Sequence, residues 1–230
     1  LFKVVCKEKQ KESGRRLFLT MSAAALCPAR AALASDTLDA GGATFRDFAK
    51  ADNGASFARG DPMAAGGPNQ VSAKVLGIES GKGLARVLFE QIRVTVSLPL
   101  GWQATEDWER GVAYSADKRY RLIVWRVDFE FEGVKDAEHY AASKGGAIQA
   151  RRPTVKSQAR KLADGSFFVM YENVPRAQGD SETRAVFDLV VSRPGNPKVG
   201  VLMTLGVPAS EAERGFKLFA LLKQSLVIDW

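Results

Sequence analysis

Ile92-Arg93-Val94-Thr95-Val96-Ser97-Leu98 runs straight into Pro99-Leu100-Gly101-Trp102. Ile92, Val94, Val96 and Leu98 alternate with Arg93, Thr95 and Ser97, the period of two that marks a half-buried strand. Pro99 ends it, because proline has no N–H to give to a sheet ladder. Pro99 and Gly101 turn the chain, and Trp102 at that corner is expected in the core.

Downstream, residues 111–115 and 120–131 read as two strands joined through Ala116-Asp117-Lys118-Arg119. In the second, Trp125, Val127, Phe129 and Phe131 alternate with Arg126, Asp128, Glu130 and Glu132, which predicts one apolar and one wet face. Residues 136–149 have helical composition. Ala163-Asp164-Gly165 turns a hairpin with arms 154–162 and 166–174, and Pro194-Gly195-Asn196-Pro197 turns another between 184–192 and 199–207. Ser210-Glu211-Ala212-Glu213 fits a capping box, opening a helix with Ala212, Phe216, Phe219 and Leu226 on one face. Strands, a helix, strands and a helix predict an α+β fold, an antiparallel β-sheet flanked by helices, over residues 73–230.

Upstream the pattern changes. Residues 35–72 are rich in Gly, Ala, Asp and Asn and hold no period of two or 3.6, so they read as a flexible arm. Residues 1–34 read as a targeting segment. Arg15-Arg16-Leu17-Phe18-Leu19 matches the twin-arginine pattern, an apolar run to Leu26 follows, and Ala32-Leu33-Ala34 supplies a small-x-small cleavage site. The targeting residues are thus Arg15, Arg16, Ala32 and Ala34, with a mature chain from Ser35. Val4-Val5-Cys6 and the Lys/Glu/Gln-rich stretch after it resemble the processing junction of a bipartite chloroplast transit peptide, which leads to the thylakoid lumen. A bacterial twin-arginine signal leads instead to the periplasm.

The formal charge of +7 invites a polyanion partner until the leader is set apart. Residues 1–34 hold seven basic and two acidic side chains, leaving 26 basic against 24 acidic in the remainder. A near-neutral chain gives no general reason to bind nucleic acid. Both cysteines, Cys6 and Cys27, lie in the leader, so the mature chain is expected to stand without a disulfide or thiolate chemistry.

The Ile92-to-Trp102 stretch resembles the opening strand and Pro-x-x-Trp corner of PsbP-like domains, and the hairpins, the long strand pair and the closing helix around Glu213-Arg214-Gly215-Phe216 follow in that family's order over about residues 88–230. The resemblance implies a non-catalytic accessory protein of the thylakoid lumen that binds photosystem II at its oxygen-evolving side or assists photosystem assembly. The alternative is a periplasmic binding or stress protein of the same fold, and a third reading is a hydrolase with a carboxylate site.

Candidate chemistry is sparse. His139 is the single histidine, which rules out a histidine-rich metal site, and no G-x-S-x-G supplies a nucleophile elbow. Gly77-Ile78-Glu79-Ser80-Gly81-Lys82-Gly83 lacks the spacing and the Ser or Thr of a phosphate loop and reads as a turn. Glu106, Asp107 and Glu109 form one acidic group. Asp128, Glu130 and Glu132, two apart on one predicted strand face, form another, fit for a hard divalent cation such as calcium. Arg151, Arg152, Lys156, Arg160 and Lys161 make the densest basic stretch of the mature chain and are the candidate docking residues for an acidic face of a membrane protein complex.

Overall fold

In the computed structural model, which describes residues 36–49, 71–175 and 182–230, the chain enters through a short edge strand β1 (Val71–Ser72) and then forms β2 (Lys74–Glu79) and β3 (Leu84–Phe89). Of the Gly77–Gly83 stretch read as a turn, Gly77, Ile78 and Glu79 belong to β2, and only Ser80–Lys82 turns, as one 3-10 turn closed by Gly83 at φ 71°. Next come β4 (Val94–Pro99), β5 (Gln103–Glu106), β6 (Arg110–Tyr114) and β7 (Arg121–Asp128). Helix α1 (Ala137–Arg151) precedes β8 (Lys156–Lys161), β9 (Phe167–Pro175), β10 (Thr183–Arg193) and β11 (Asn196–Pro208). Helix α2 (Ala212–Ser225) and the two-residue β12 (Val227–Ile228) close the chain.

All pairings are antiparallel. Among the described residues one sheet has eight strands in the order β1-β5-β6-β7-β11-β10-β9-β8, the other four in the order β12-β4-β3-β2. The class is α+β, an antiparallel sheet covered by helices. Leu122 and Val124 of β7 face the larger core with Phe187, Leu205 and Phe219, on the side where α2 and the smaller sheet pack. Val127 and Phe129 face the opposite cluster beneath α1, with Tyr171, Val190 and Leu202. The long strands are therefore covered on both sides, where the alternation of β7 predicts one wet face.

The deciding stretch behaves as its period says, with one change at its start. Val94, Val96 and Leu98 are fully buried and Trp102 is 2% exposed. Strand β4 begins at Val94 rather than Ile92, because Arg93 takes the left-handed region at φ 55° and its N–H closes a turn on the Glu90 carbonyl at 3.3 Å. The closing helix also starts differently. Ser210 donates its hydroxyl to Glu182 at 2.7 Å instead of capping, and a 3-10 turn, Ala209–Glu211, leads into α2.

Residues 36–49 depart from the expected flexible arm. Leu38, Ala40 and Phe45 are buried in the larger core, and Thr44 and Asp47 close a capping box on the 3-10 turn Phe45–Phe48. Irregular chain carries no periodic signal, yet three apolar side chains suffice to hold it down. The targeting residues Arg15, Arg16, Ala32 and Ala34 lie outside the described residues.

Where the two sheets meet, Gly111 of β6 lies against Phe89 of β3. A Cβ at Gly111 would stand 2.3 Å from the ring, closer than real contacts allow. Gly111→Ala is expected to cost about 1–3 kcal/mol through overpacking. Denaturant unfolding checks this, and an unchanged midpoint would show that the Phe89 ring yields freely.

Candidate functional site

The predicted acidic ladder does not form. Strand β7 stops at Asp128, whose Oδ1 accepts the N–H groups of Glu130 at 3.0 Å and Phe131 at 3.1 Å and folds the chain into a turn. That local bonding competes with strand extension, as Asp side chains commonly do. Glu130 pairs instead with Lys198 at 2.9 Å, and Phe131 stands 89% exposed. Asp128, Glu130 and Glu132 therefore share no strand face, and no cluster of three metal-ligating side chains occurs among the described residues.

Glu106, Asp107 and Glu109 are likewise separated in role. Glu106 is buried, which pushes its pKa up even though it accepts the Gln91 N–H at 3.0 Å. Burial opposes ionisation of Asp107 too, but the N–H groups of Glu109 and Arg110 and the Arg110 guanidinium hold its pKa below the usual range. His139 lies at the start of α1, 61% exposed, with Nδ1 3.0 Å from Asp136. It is a surface helix residue beside the N-cap.

The basic stretch forms the far end of the larger sheet. Arg151 and Arg152 close α1, and β8 is the terminal strand beyond β9. Successive side chains of a strand point to opposite faces. The Arg160 guanidinium stacks over Phe168, a member of the larger core, while Lys161 lies over Phe167 on the α1 side. Arg160 is drawn into packing: its Nε and Nη1 are buried without an acceptor, and Nη2 donates to the Thr37 carbonyl at 3.4 Å. Of the five cations, Lys156, Arg160 and Lys161 thus lie on the edge strand and point to both of its sides, while Arg151 and Arg152 end α1. Among the described residues, Arg151, Arg152, Lys156 and Lys161 have no carboxylate at ion-pair distance, although Lys156 lies opposite Glu172 across β8–β9. Lys74, Lys198 and Lys223, by contrast, are paired with Glu90, Glu130 and Asp164 at 2.7, 2.9 and 2.5 Å.

A second place, missed in the sequence, is a groove of about 310 Å³ between the Trp102 corner, the β6–β7 turn and Phe48. At its side Glu211 accepts from the Tyr120 hydroxyl at 2.5 Å and pairs with Arg119 at 2.6 Å and Arg214 at 3.8 Å. Arg214 lies over the Phe48 ring and donates to the Asp47 carbonyl at 2.6 Å. Burial, and then the Glu211 carboxylate, push the Tyr120 phenol far up, so it stays protonated. Ser115 donates to Asp117 at 2.5 Å and accepts the Tyr120 N–H at 3.0 Å. Every polar group named here is spent on another, and the knot fastens residues 36–49 and the β6–β7 turn to the start of α2. No local sequence signal points to it, since Tyr120 and Glu211 are 91 residues apart.

No family model matches the chain, and no curated protein matches it by sequence. Among solved structures it is similar to the Ran-binding protein Mog1p of Saccharomyces cerevisiae, at 13% identity and a TM-score of 0.44, over 63% of this chain and 95% of that one. It is similar to the same degree to cyanobacterial PsbP (CyanoP) from Synechocystis, at 13% identity and a TM-score of 0.44, over 67% and 95% of the two chains. Likeness this distant carries no argument about function.

Proposed function

We propose that this chain is a non-catalytic, PsbP-like accessory protein that docks by charge on an acidic surface of a membrane protein complex on the far side of an energy-transducing membrane. The observation that carries the reading is the basic edge at Arg151, Arg152, Lys156 and Lys161, with no carboxylate at ion-pair distance among the described residues. Unneutralised charge at one margin steers encounter and sets orientation with an acidic partner.

The finer reading is the thylakoid lumen, with photosystem II at its oxygen-evolving side or a photosystem assembly intermediate as the complex. It rests on the Ile92-to-Trp102 resemblance and on a leader with both a processing junction and a twin-arginine pattern. The twin-arginine pattern by itself equally supports a periplasmic binding protein, for which the same edge would do the docking. Arg15→Lys together with Arg16→Lys is expected to block export, with the processed chain beginning at Ser35; undiminished export of the variant would remove the targeting assignment. Exposed charges are screened over about 8–10 Å at physiological ionic strength. Washing native membranes with rising salt is therefore expected to release the protein, and retention in high salt would contradict charge docking.

A further inference from the structure

Resting on that docking reading, we infer that the partner contributes an extended acidic segment, which adds to the free margin of β8 as a ninth strand of the larger sheet. The inference comes from the way the five cations are distributed. A partner lying flat against one side of the sheet meets only the cations of that side, and Arg160 and Lys161 point to opposite sides, over Phe168 and Phe167. An in-plane strand meets both, because residues directly opposite across a strand pair share a face and alternate along it.

The backbone gives the second reason. Strand β8 pairs with β9 along its whole length, from Lys156 opposite Glu172 to Lys161 opposite Phe167, and among the described residues no strand lies on its other side. In an antiparallel ladder alternate residues turn their N–H and C=O groups away from the existing neighbour. On β8 these groups form the row that an extended segment uses when it augments a sheet. At the end of the strand the Asp36 carbonyl accepts the Ala163 N–H and the Thr37 carbonyl accepts from Arg160.

Charge then selects the occupant. A second copy of this chain would bring its own Lys156, Arg160 and Lys161 against the same residues, and like charges directly opposite are destabilising. A segment with glutamate or aspartate on both of its faces meets complementary charge at each register position. Arg151 and Arg152 at the end of α1 extend the basic field past the start of β8.

The test uses the full chain and three synthetic octapeptides, read by fluorescence anisotropy at low salt and by hydrogen exchange of the β8 amides. The first peptide is built of glutamate and valine with carboxylates on both faces. The second has the same sequence with its consecutive central backbone amides methylated, so that both of its edges lose donors, and the third has glutamine for glutamate. The first is expected to bind and to slow exchange within residues 156–161. Methylation, which keeps the charge and removes strand donors, is expected to weaken binding by about tenfold or more. If the methylated peptide bound as well as its parent, strand addition would be overturned while charge docking stood. If the glutamine peptide bound equally, charge docking itself would fail. Absence of binding by the first peptide, protection confined to amides outside β8, or edge pairing between two copies seen as a dimer would each overturn the inference.

Discussion

Trp102→Ala is expected to remove about 3–5 kcal/mol of stability, the range for truncating a buried large aromatic. The indole is 2% exposed and meets Tyr120 edge-on, with ring centroids 6.4 Å apart and planes at 85°. Its position is set by the corner, where Gly101 at φ 85° lets the chain reverse and the Trp102 N–H donates to the Pro99 carbonyl at 3.3 Å. Alanine leaves a cavity between the Leu100 corner and β4, and the edge contact that orients Tyr120 toward Glu211 is lost. For a chain of this size each kcal/mol is worth about 2–4 °C, so the melting temperature falls by about 6–20 °C. Trp108→Ala is the control, because that side chain is 73% exposed. Surface changes of this kind stay within about 0.5 kcal/mol. Equal, small shifts for both variants would mean that the corner does not hold the core.

Asp188→Ala is the second large effect. Asp188 is 1% exposed in the middle of β10, where Lys144 of α1 reaches it at 2.8 Å and Thr204 of β11 donates to it at 2.5 Å. Helix α1 fully buries Ala137, Ala141 and Gly145 and packs Tyr140 and Ile148 partly buried against the same cluster. The ion pair adds a buried polar tie to that packing. Breaking a buried pair by removing one partner costs about 3–5 kcal/mol, whereas replacing both partners with apolar residues of similar volume is often neutral. Asp188→Ala should destabilise strongly, and Lys144→Met with Asp188→Leu should recover most of the loss. Burial pulls the Lys144 pKa down, but the Asp188 carboxylate and the Tyr140 phenol outweigh it and raise it above the ordinary value of 10.5. A raised folded-state pKa gives stability that is complete below 10.5 and lost as pH climbs through the folded value. Burial first, and Asp188 after it, also raise Tyr140 and Tyr171, so their contribution too is lost as the unfolded phenols ionise above their ordinary value of 10.0. The wild type should lose stability above pH 10.5 more steeply than the double variant, which removes both the pair and the Asp188 effect on the tyrosines. Parallel alkaline profiles would show that the pair contributes nothing.

The elements legible in the sequence are those whose signal is local. Strand β4 shows a strict period of two, and the β8–β9 and β10–β11 hairpins are announced by turns whose Gly165 and Gly195 take φ 83° and 75°. Strands β2 and β3 escape because β2 is exposed almost throughout and slips register at Gly77, so its side chains hold no apolar alternation. Alternation also misleads at Phe129–Glu132, where the Asp128 side chain ends the strand three residues before the expected end at Phe131. Segment 36–49 is fixed by Leu38, Ala40 and Phe45, contacts that only the folded core defines. The five basic residues are plain in the sequence, but their division between two sides of an edge follows from strand parity and from Phe167 and Phe168. The knot at Glu211 joins three parts of the chain and leaves no local trace.

Rebinding to salt-stripped native membranes tests charge docking at this edge most directly. The wild type should rebind at low salt. A chain with Arg151, Arg152, Lys156 and Lys161 all changed to glutamate should not, while Arg86→Glu with Lys135→Glu, two exposed cations away from β8, should rebind as the wild type does. Normal rebinding of the fourfold variant, or equal loss in the control, would contradict docking through the β8 edge.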